Sequence, residues 1–222
     1  MIPMRLKIYQ INPDKDPNRL RFMPLKQIDK VEPTMYRKVF DAQADVTGLE
    51  DAFRLFNNEG HPLYNGSSMS VSDVVVTEDG AFYCDSYGFQ KTEFDESQVD
   101  TSELIKVLYV PVHEKPYEAE IPDTLEAKQK AVGGLIEYVF NPDETALICD
   151  EEAKLNGKEG NRYLDGGGII AGNFFVEGLG EEDCRSLTDE ELQKYKAKYD
   201  EAPEITPEET AADVGFRFIN FM

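Results

Sequence analysis

Apolar and polar positions alternate from the start of the chain. Leu6, Ile8 and Ile11 mark Arg5 to Ile11 as a half-buried strand, and Tyr36 to Phe40 reads as a second one. Between them lie a polar, Pro-containing loop (residues 12–18) and Pro24, which can open a short helix with Leu25 and Ile28 inward. Thr47 followed by Glu50 is a capping-box signature, and Leu49, Ala52, Phe53 and Phe56 then fall on one helical face. A β-branched run, Val71 to Thr77, and an aromatic run, Ala81 to Asp85, flank Glu78-Asp79-Gly80 and predict a hairpin. This order gives a small α+β sheet as the first of two domains, residues 1–92.

Residues 90–103 are polar and acidic with few apolar anchors, which places a linker at 93–103. A second α+β domain, residues 104–200, opens with a hairpin, Ile105 to Val112 and Tyr117 to Ile121, around His113-Glu-Lys-Pro. Asp123 with Glu126 starts a helix over Leu125 to Val132, and Gly133-Gly134 ends it by supplying positive φ. Strands follow at Leu135 to Phe140, Thr145 to Cys149 and Ile169 to Val176, with a long loop at 151–168. Thr188 and Glu191 form another capping box, and Leu192, Tyr195 and Tyr199 give the buried face of a last helix. Residues 201–222 read as a mobile acidic tail. Within it, Gly215 to Met222 alternates as an edge-adding strand would, in its own chain or another. The fold class is α+β: two small mixed domains, each a short sheet with one or two helices.

Charge narrows the partners. The chain carries 44 acidic and 23 basic residues, a net charge of −21. Residues 1–100 hold 11 basic and 17 acidic residues, and residues 101–222 hold 12 and 27, so the acidity concentrates in the second half. Such a chain repels phosphate backbones, which argues against direct nucleic-acid binding. The acidity is explained by solubility, with mimicry of a nucleic acid in a basic groove as the alternative. Cys84, Cys149 and Cys184 are far apart and odd in number, which fits free thiols in a reducing cytoplasm and no structural metal. The first eleven residues lack a signal-peptide apolar core, and no apolar run approaches a membrane span.

The candidate chemistry is sparse. Asn12, Asp14, Asp16 and Asn18 alternate as calcium ligands would, but Pro17 and Met23 stand where the loop demands Gly and Glu. His61 and His113 are the bases available to a Cys or Ser nucleophile, with Cys84 within conceivable reach of His61; no complete catalytic set forms. The best polar cluster is Asp73 and Asp85 on opposite hairpin strands, with Ser70, Ser72, Ser86 and Tyr87 near them and Phe89 beside it. It reads either as a recognition patch for a partner or small ligand, or as strand-end capping by Ser and Asp. In the second domain Glu137, Asn156, Asn161 and Arg162 are the corresponding polar residues. Arg162, a scarce cation in an acidic region, is expected to hold a carboxylate inside the fold, with anion binding as the alternative. No catalytic residue, metal ligand or cofactor is assigned.

The stretch Ser67 to Phe89 resembles the YodL domain, an uncharacterised module common in proteins of bacterial conjugative elements and phages. Val132-Gly-Gly-Leu-Ile-Glu137, Cys149 to Gly157, Asn161-Arg162 and Ile170-Ala-Gly-Asn-Phe-Phe175 resemble a second mobile-element module, the domain-of-unknown-function family three-eight-four-six. The run Gly166-Gly-Gly168 departs from that second pattern. Together the resemblances cover roughly residues 4–200. They imply an accessory protein of a bacterial mobile element that binds a host or element protein, including in counter-defence, and they imply no reaction. A small-ligand-binding protein or enzyme using the Asp73/Asp85 patch is the alternative. Oligomeric state is left open.

Overall fold

The computed structural model describes residues 3–181 and 183–213. Two compact units emerge. One holds the residues through Leu104 together with Ala119–Asp123; the other holds Ile105–Glu118 and the residues from Thr124 onward. The strand expected at 215–222 lies outside the described residues.

The first unit is built on an antiparallel five-stranded sheet of order β2-β1-β3-β4-β5, from β1 (Met4–Ile11), β2 (Tyr36–Ala44), β3 (Val74–Thr77), β4 (Gly80–Cys84) and β5 (Phe89–Thr92). Helix α1 (Leu49–Arg54) follows β2 and runs on through a wider turn over Leu55–Glu59. A register shift at Ile8/Tyr9 lets β1 bury residues on both faces. Tyr9 and Ile11 enter one core with Tyr36, Val74 and Tyr83. Rings of Phe40, Phe56 and Tyr64 meet elsewhere, Phe40 lying 4.8 Å from Phe56.

Two expectations about this unit change. The cap of α1 is Gly48, and Thr47 bonds Asp51 rather than Glu50, so the helix starts one residue late; Phe53, expected on the buried face, is exposed. Residues 93–103 are not a free linker. The Phe94 ring lies tilted 4.9 Å from Tyr9 and edge-on 5.3 Å from Tyr36, and Val99 is buried in the same core. Two apolar anchors, one of them a ring set against two others, hold this otherwise polar segment.

A second sheet, of order β7-β6-β12-β9-β8 with β13 paired to β12, carries the second unit, apart from Leu104 and Ala119–Pro122, which belong to the first. Its members are β6 (Leu104–Val110), β7 (Tyr117–Pro122), β8 (Ile136–Phe140), β9 (Thr145–Asp150), β12 (Phe174–Leu179) and β13 (Cys184–Arg185). Helix α2 (Leu125–Val132) precedes β8, and the pair β10 (Gly160–Tyr163) and β11 (Ile169–Ala171) precedes β12. Strand alternation then sorts β12. Phe174 and Val176 pack with Leu192, Tyr195 and Tyr199 of α3 (Asp189–Lys198) and its cap, while Glu177 meets Lys128 of α2. Helices thus cover both faces of this sheet.

The caps explain the helix ends. The cap of α2 is Thr124, which accepts from Ala127 N, in place of the expected Asp123; Gly133 closes the helix at φ 72, and Thr188 with Glu191 forms the expected box on α3. The stretch 201–213 differs from a mobile tail: it contains α4 (Pro207–Ala212), with Pro207 at its start and a capping box from Thr206 and Glu209. Ile205 and Thr210 are buried against Gly160, where an added Cβ would lie 2.5 Å from Ile205 and 2.8 Å from Thr210. Among the described residues no helix is long and apolar enough to cross a membrane.

Candidate functional site

The turn between β4 and β5 is the most exposed aromatic feature of the first unit. Asp85 N donates to Gly88 O at 2.9 Å and Asp85 Oδ1 accepts from Ser86 N at 2.7 Å, so the four-residue turn is closed by its own bonds. Gly88 takes φ 71, which suits glycine. The result lifts Tyr87 to 94% exposure, with Ser86 exposed beside it and Phe89 half-buried at the start of β5. A Cβ on Gly88 would lie 3.2 Å from Glu50 Oε1, so this turn sits next to α1. There Thr47, Gly48, Leu49, Glu50, Asp51 and Arg54 line a shallow depression of about 370 Å³, open to solvent.

Asp73 serves a different role from Asp85. It is 4% exposed, and its Oδ2 accepts from Gln10 Nε2 at 2.8 Å and Ser70 N at 2.9 Å. Gln10 also holds Ser67, donating to Ser67 O at 3.0 Å and accepting from Ser67 N at 3.0 Å, while the Tyr64 hydroxyl donates to Ser67 O. Gly66 is required at this crossing, since a Cβ there would lie 2.7 Å from Gln10 Oε1 and 2.8 Å from the Tyr64 hydroxyl. Ser72, buried at φ 86, is fixed by bonds to Phe22 N, Tyr36 and Cys84. The network therefore seals loop 64–73 onto β1, and the patch expected around both carboxylates divides into an interior half and a surface half.

Burial pushes the Asp73 carboxyl up to about 6, against the opposing pull of its bonds from Gln10 and Ser70. The folded state then holds a proton that the unfolded chain releases near 3.8, so stability falls as pH rises from about 4 to about 6. Asp73→Asn keeps an acceptor for Gln10 and Ser70 without the charge. It should raise stability at pH 7.5 by roughly 2 kcal/mol and flatten the dependence between pH 4 and 6, since a two-unit displacement is worth about 2.7 kcal/mol. Urea titrations at both pH values check this; parallel pH profiles for the variant and the parent would refute it.

In the second unit the named residues separate similarly. Glu137 on β8 and Asn156 in the turn after β9 are exposed. Asn161 and Arg162 are buried together. Asn161 Nδ2 donates to Val110 O and Gly172 O, and its Oδ1 accepts from Arg162 at 2.6 Å. Arg162 gives its remaining bonds to the carbonyls of Tyr199, Glu114 and Asn161. It holds main-chain oxygens where a carboxylate was expected. Lys158, which the sequence reading passed over, caps α2 by donating to Val132 O and Gly133 O and lies 2.6 Å from buried Asp150. Gly134 packs directly on Asp150, 2.3 Å from any added Cβ. The recognisable segments around residues 132–134 and 149–158 thus meet for structural reasons.

Residues 5–94 match the YodL-like domain family and residues 105–200 match a domain of unknown function, DUF3846. The chain joins a YodL-like domain to a DUF3846 domain. No curated protein and no solved structure matches it. Within the YodL-like domain, His61 packs its ring 4.8 Å from Phe40 and accepts from Leu63 N, and burial pushes the Cys84 thiol up to about 12. Neither group is prepared for nucleophilic work. Within the DUF3846 domain, Glu177 and Cys184 offer two metal-donor atoms, yet the Lys128 ammonium lies 2.9–3.1 Å from both and occupies the place of a cation.

Proposed function

We propose that the protein is an accessory factor of a bacterial mobile element that acts by binding another protein, from the host or the element, with counter-defence as its setting. The turn at 85–88 of the YodL-like domain is the contact. One observation carries this reading: Tyr87 is 94% exposed on a turn rigidified by its own hydrogen bonds. A rigid aromatic held in water gives large contact area at little entropic cost, which is why such residues dominate interfaces. The neighbouring depression is shallow and open, and Asp73 is sealed in the interior, so the geometry favours a flat protein contact over an enclosed ligand. A reducing bacterial cytoplasm suits the unpaired thiols.

The test pairs capture with mutation. Affinity-tagged protein and its Tyr87→Ala variant are exposed to lysate of a bacterium carrying the element, and captured proteins are identified by mass spectrometry. A partner retained by the parent should lose about 30-fold or more in affinity toward the variant, the size expected of an interface anchor. Equal capture by both proteins removes Tyr87 from the interface and sinks the reading.

A further inference from the structure

Three side chains converge in the DUF3846 domain that the recognition function does not use. Lys128 of α2 and Glu177 of β12 are 3% and 0% exposed, and Cys184 of β13 stands at the edge of the same site, half-buried. Cys184 Sγ lies 2.9 Å from Glu177 Oε1 and 3.1 Å from Lys128 Nζ. Lys128 Nζ lies 3.0 Å from Glu177 Oε1 and 2.9 Å from Oε2. The second oxygen, fully enclosed, is ion-paired to the ammonium but takes no hydrogen bond.

The buried ion pair alone does not account for the sulfur. A pair needs strong hydrogen bonds to its remaining atoms, and a thiol is a weak donor and a weak acceptor. What the arrangement supplies instead is a primary amine and a thiol in contact, with a carboxylate touching both. Cys184 is half-buried where Cys84 and Cys149 are buried, so of the three thiols its residue is the most open to a small oxidant.

We propose that Lys128 and Cys184 form a reversible covalent cross-link when the protein meets hydrogen peroxide. In the first step Sγ attacks peroxide: the S–O bond forms and the O–O bond breaks. The thiol proton, passed through Glu177, joins the departing hydroxide as water. Sulfur loses two electrons, peroxide gains them, and the product is a sulfenic acid. In the second step the ammonium of Lys128 gives a proton to Glu177 and its lone pair attacks the sulfenic sulfur. The N–S bond forms and the S–O bond breaks. Hydroxide leaves as water with a second proton from nitrogen, while the first stays on Glu177. No further oxidant is consumed. The buried pair ends uncharged, which removes the cost of holding two ions out of water. Burial and the bond to Glu177 hold the Cys184 thiol above its ordinary range, so this thiol depends on Glu177 as its base and reacts slowly.

Peptide mapping of the peroxide-treated full chain tests the cross-link. Tryptic peptides bearing Lys128 and Cys184 should appear joined, about 2 Da lighter than their sum, uncut after Lys128 and separated again by dithiothreitol. Lys128→Arg keeps a cation facing Glu177 without the reactive amine; its Cys184 should instead be trapped by dimedone as the sulfenic acid. Cys184→Ser should give no joined peptide. Circular dichroism establishes that each variant is folded, and should Lys128→Arg unfold, the map of the unmutated protein together with Cys184→Ser decides. A Cys184 that stays a free thiol, that oxidises without joining, or that joins a different lysine overturns the proposal.

Discussion

Lys128→Met should cost the protein about 3–5 kcal/mol, the penalty for leaving a buried carboxylate without its counter-ion. Glu177 is completely enclosed, and the Lys128 ammonium touches both of its oxygens. Methionine matches the lysine stem in size, so little packing is lost and the loss reports the charge itself. The double variant Lys128→Met/Glu177→Gln should recover most of it. It removes the uncompensated charge and leaves an amide oxygen to accept from Cys184. Urea unfolding of the parent, the single and the double variant checks the argument. A single variant as stable as the parent, or a double variant no better than the single, would show that the pair is not the origin of the stability.

Arg162→Ala should lose a comparable amount, about 3–5 kcal/mol, by a different route. The guanidinium is 3% exposed and supplies donors to the carbonyls of Tyr199, Glu114 and Asn161 and to the Asn161 side chain. Tyr199 caps α3, and Glu114 lies between β6 and β7, so one side chain ties a helix end to a hairpin. Each buried carbonyl left without a donor costs about 1–3 kcal/mol. Arg162→Lys should recover only part, because an ammonium cannot reproduce the planar fork. If an acid were the true partner, Asp200→Asn would abolish the effect of Arg162→Ala. Carbonyl partners predict that the two substitutions add. Thermal unfolding of the two single variants and the double distinguishes these outcomes.

Where local chemistry dictated structure, the sequence was readable. Helix α2 has the expected span and αL glycine, though its cap is Thr124 rather than Asp123, and α3 carries the complete capping box that its spacing announced. The missed elements lack that signature for physical reasons. Strand β5 lies at a sheet edge and shows Gln90 and Lys91 to solvent, as edges do, so it offers no apolar run. Strand β10 is polar because Asn161 and Arg162 meet their bonding needs inside the fold.

The candidate site was half legible. An exposed aromatic turn follows from Asp85-Ser86-Tyr87-Gly88, because each bond that closes it is local. The fate of Asp73 was not legible, because its partner Gln10 stands 63 residues earlier in the chain. Proximity of Lys128, Glu177 and Cys184 was hidden likewise. The three lie on separate elements, and only the folded sheet brings them together.

The short helix at 207–212 separates two ideas of where a domain stops. The DUF3846 match closes at residue 200, yet Ile205 and Thr210 fill the space above Gly160, and Asp213 accepts from Lys154 and from Ile169 N. The family match therefore ends before the physical object does. A gene fragment trimmed to the matched residues would omit part of its own wall, and the strand pair β10–β11 would meet water on a face shaped to meet protein.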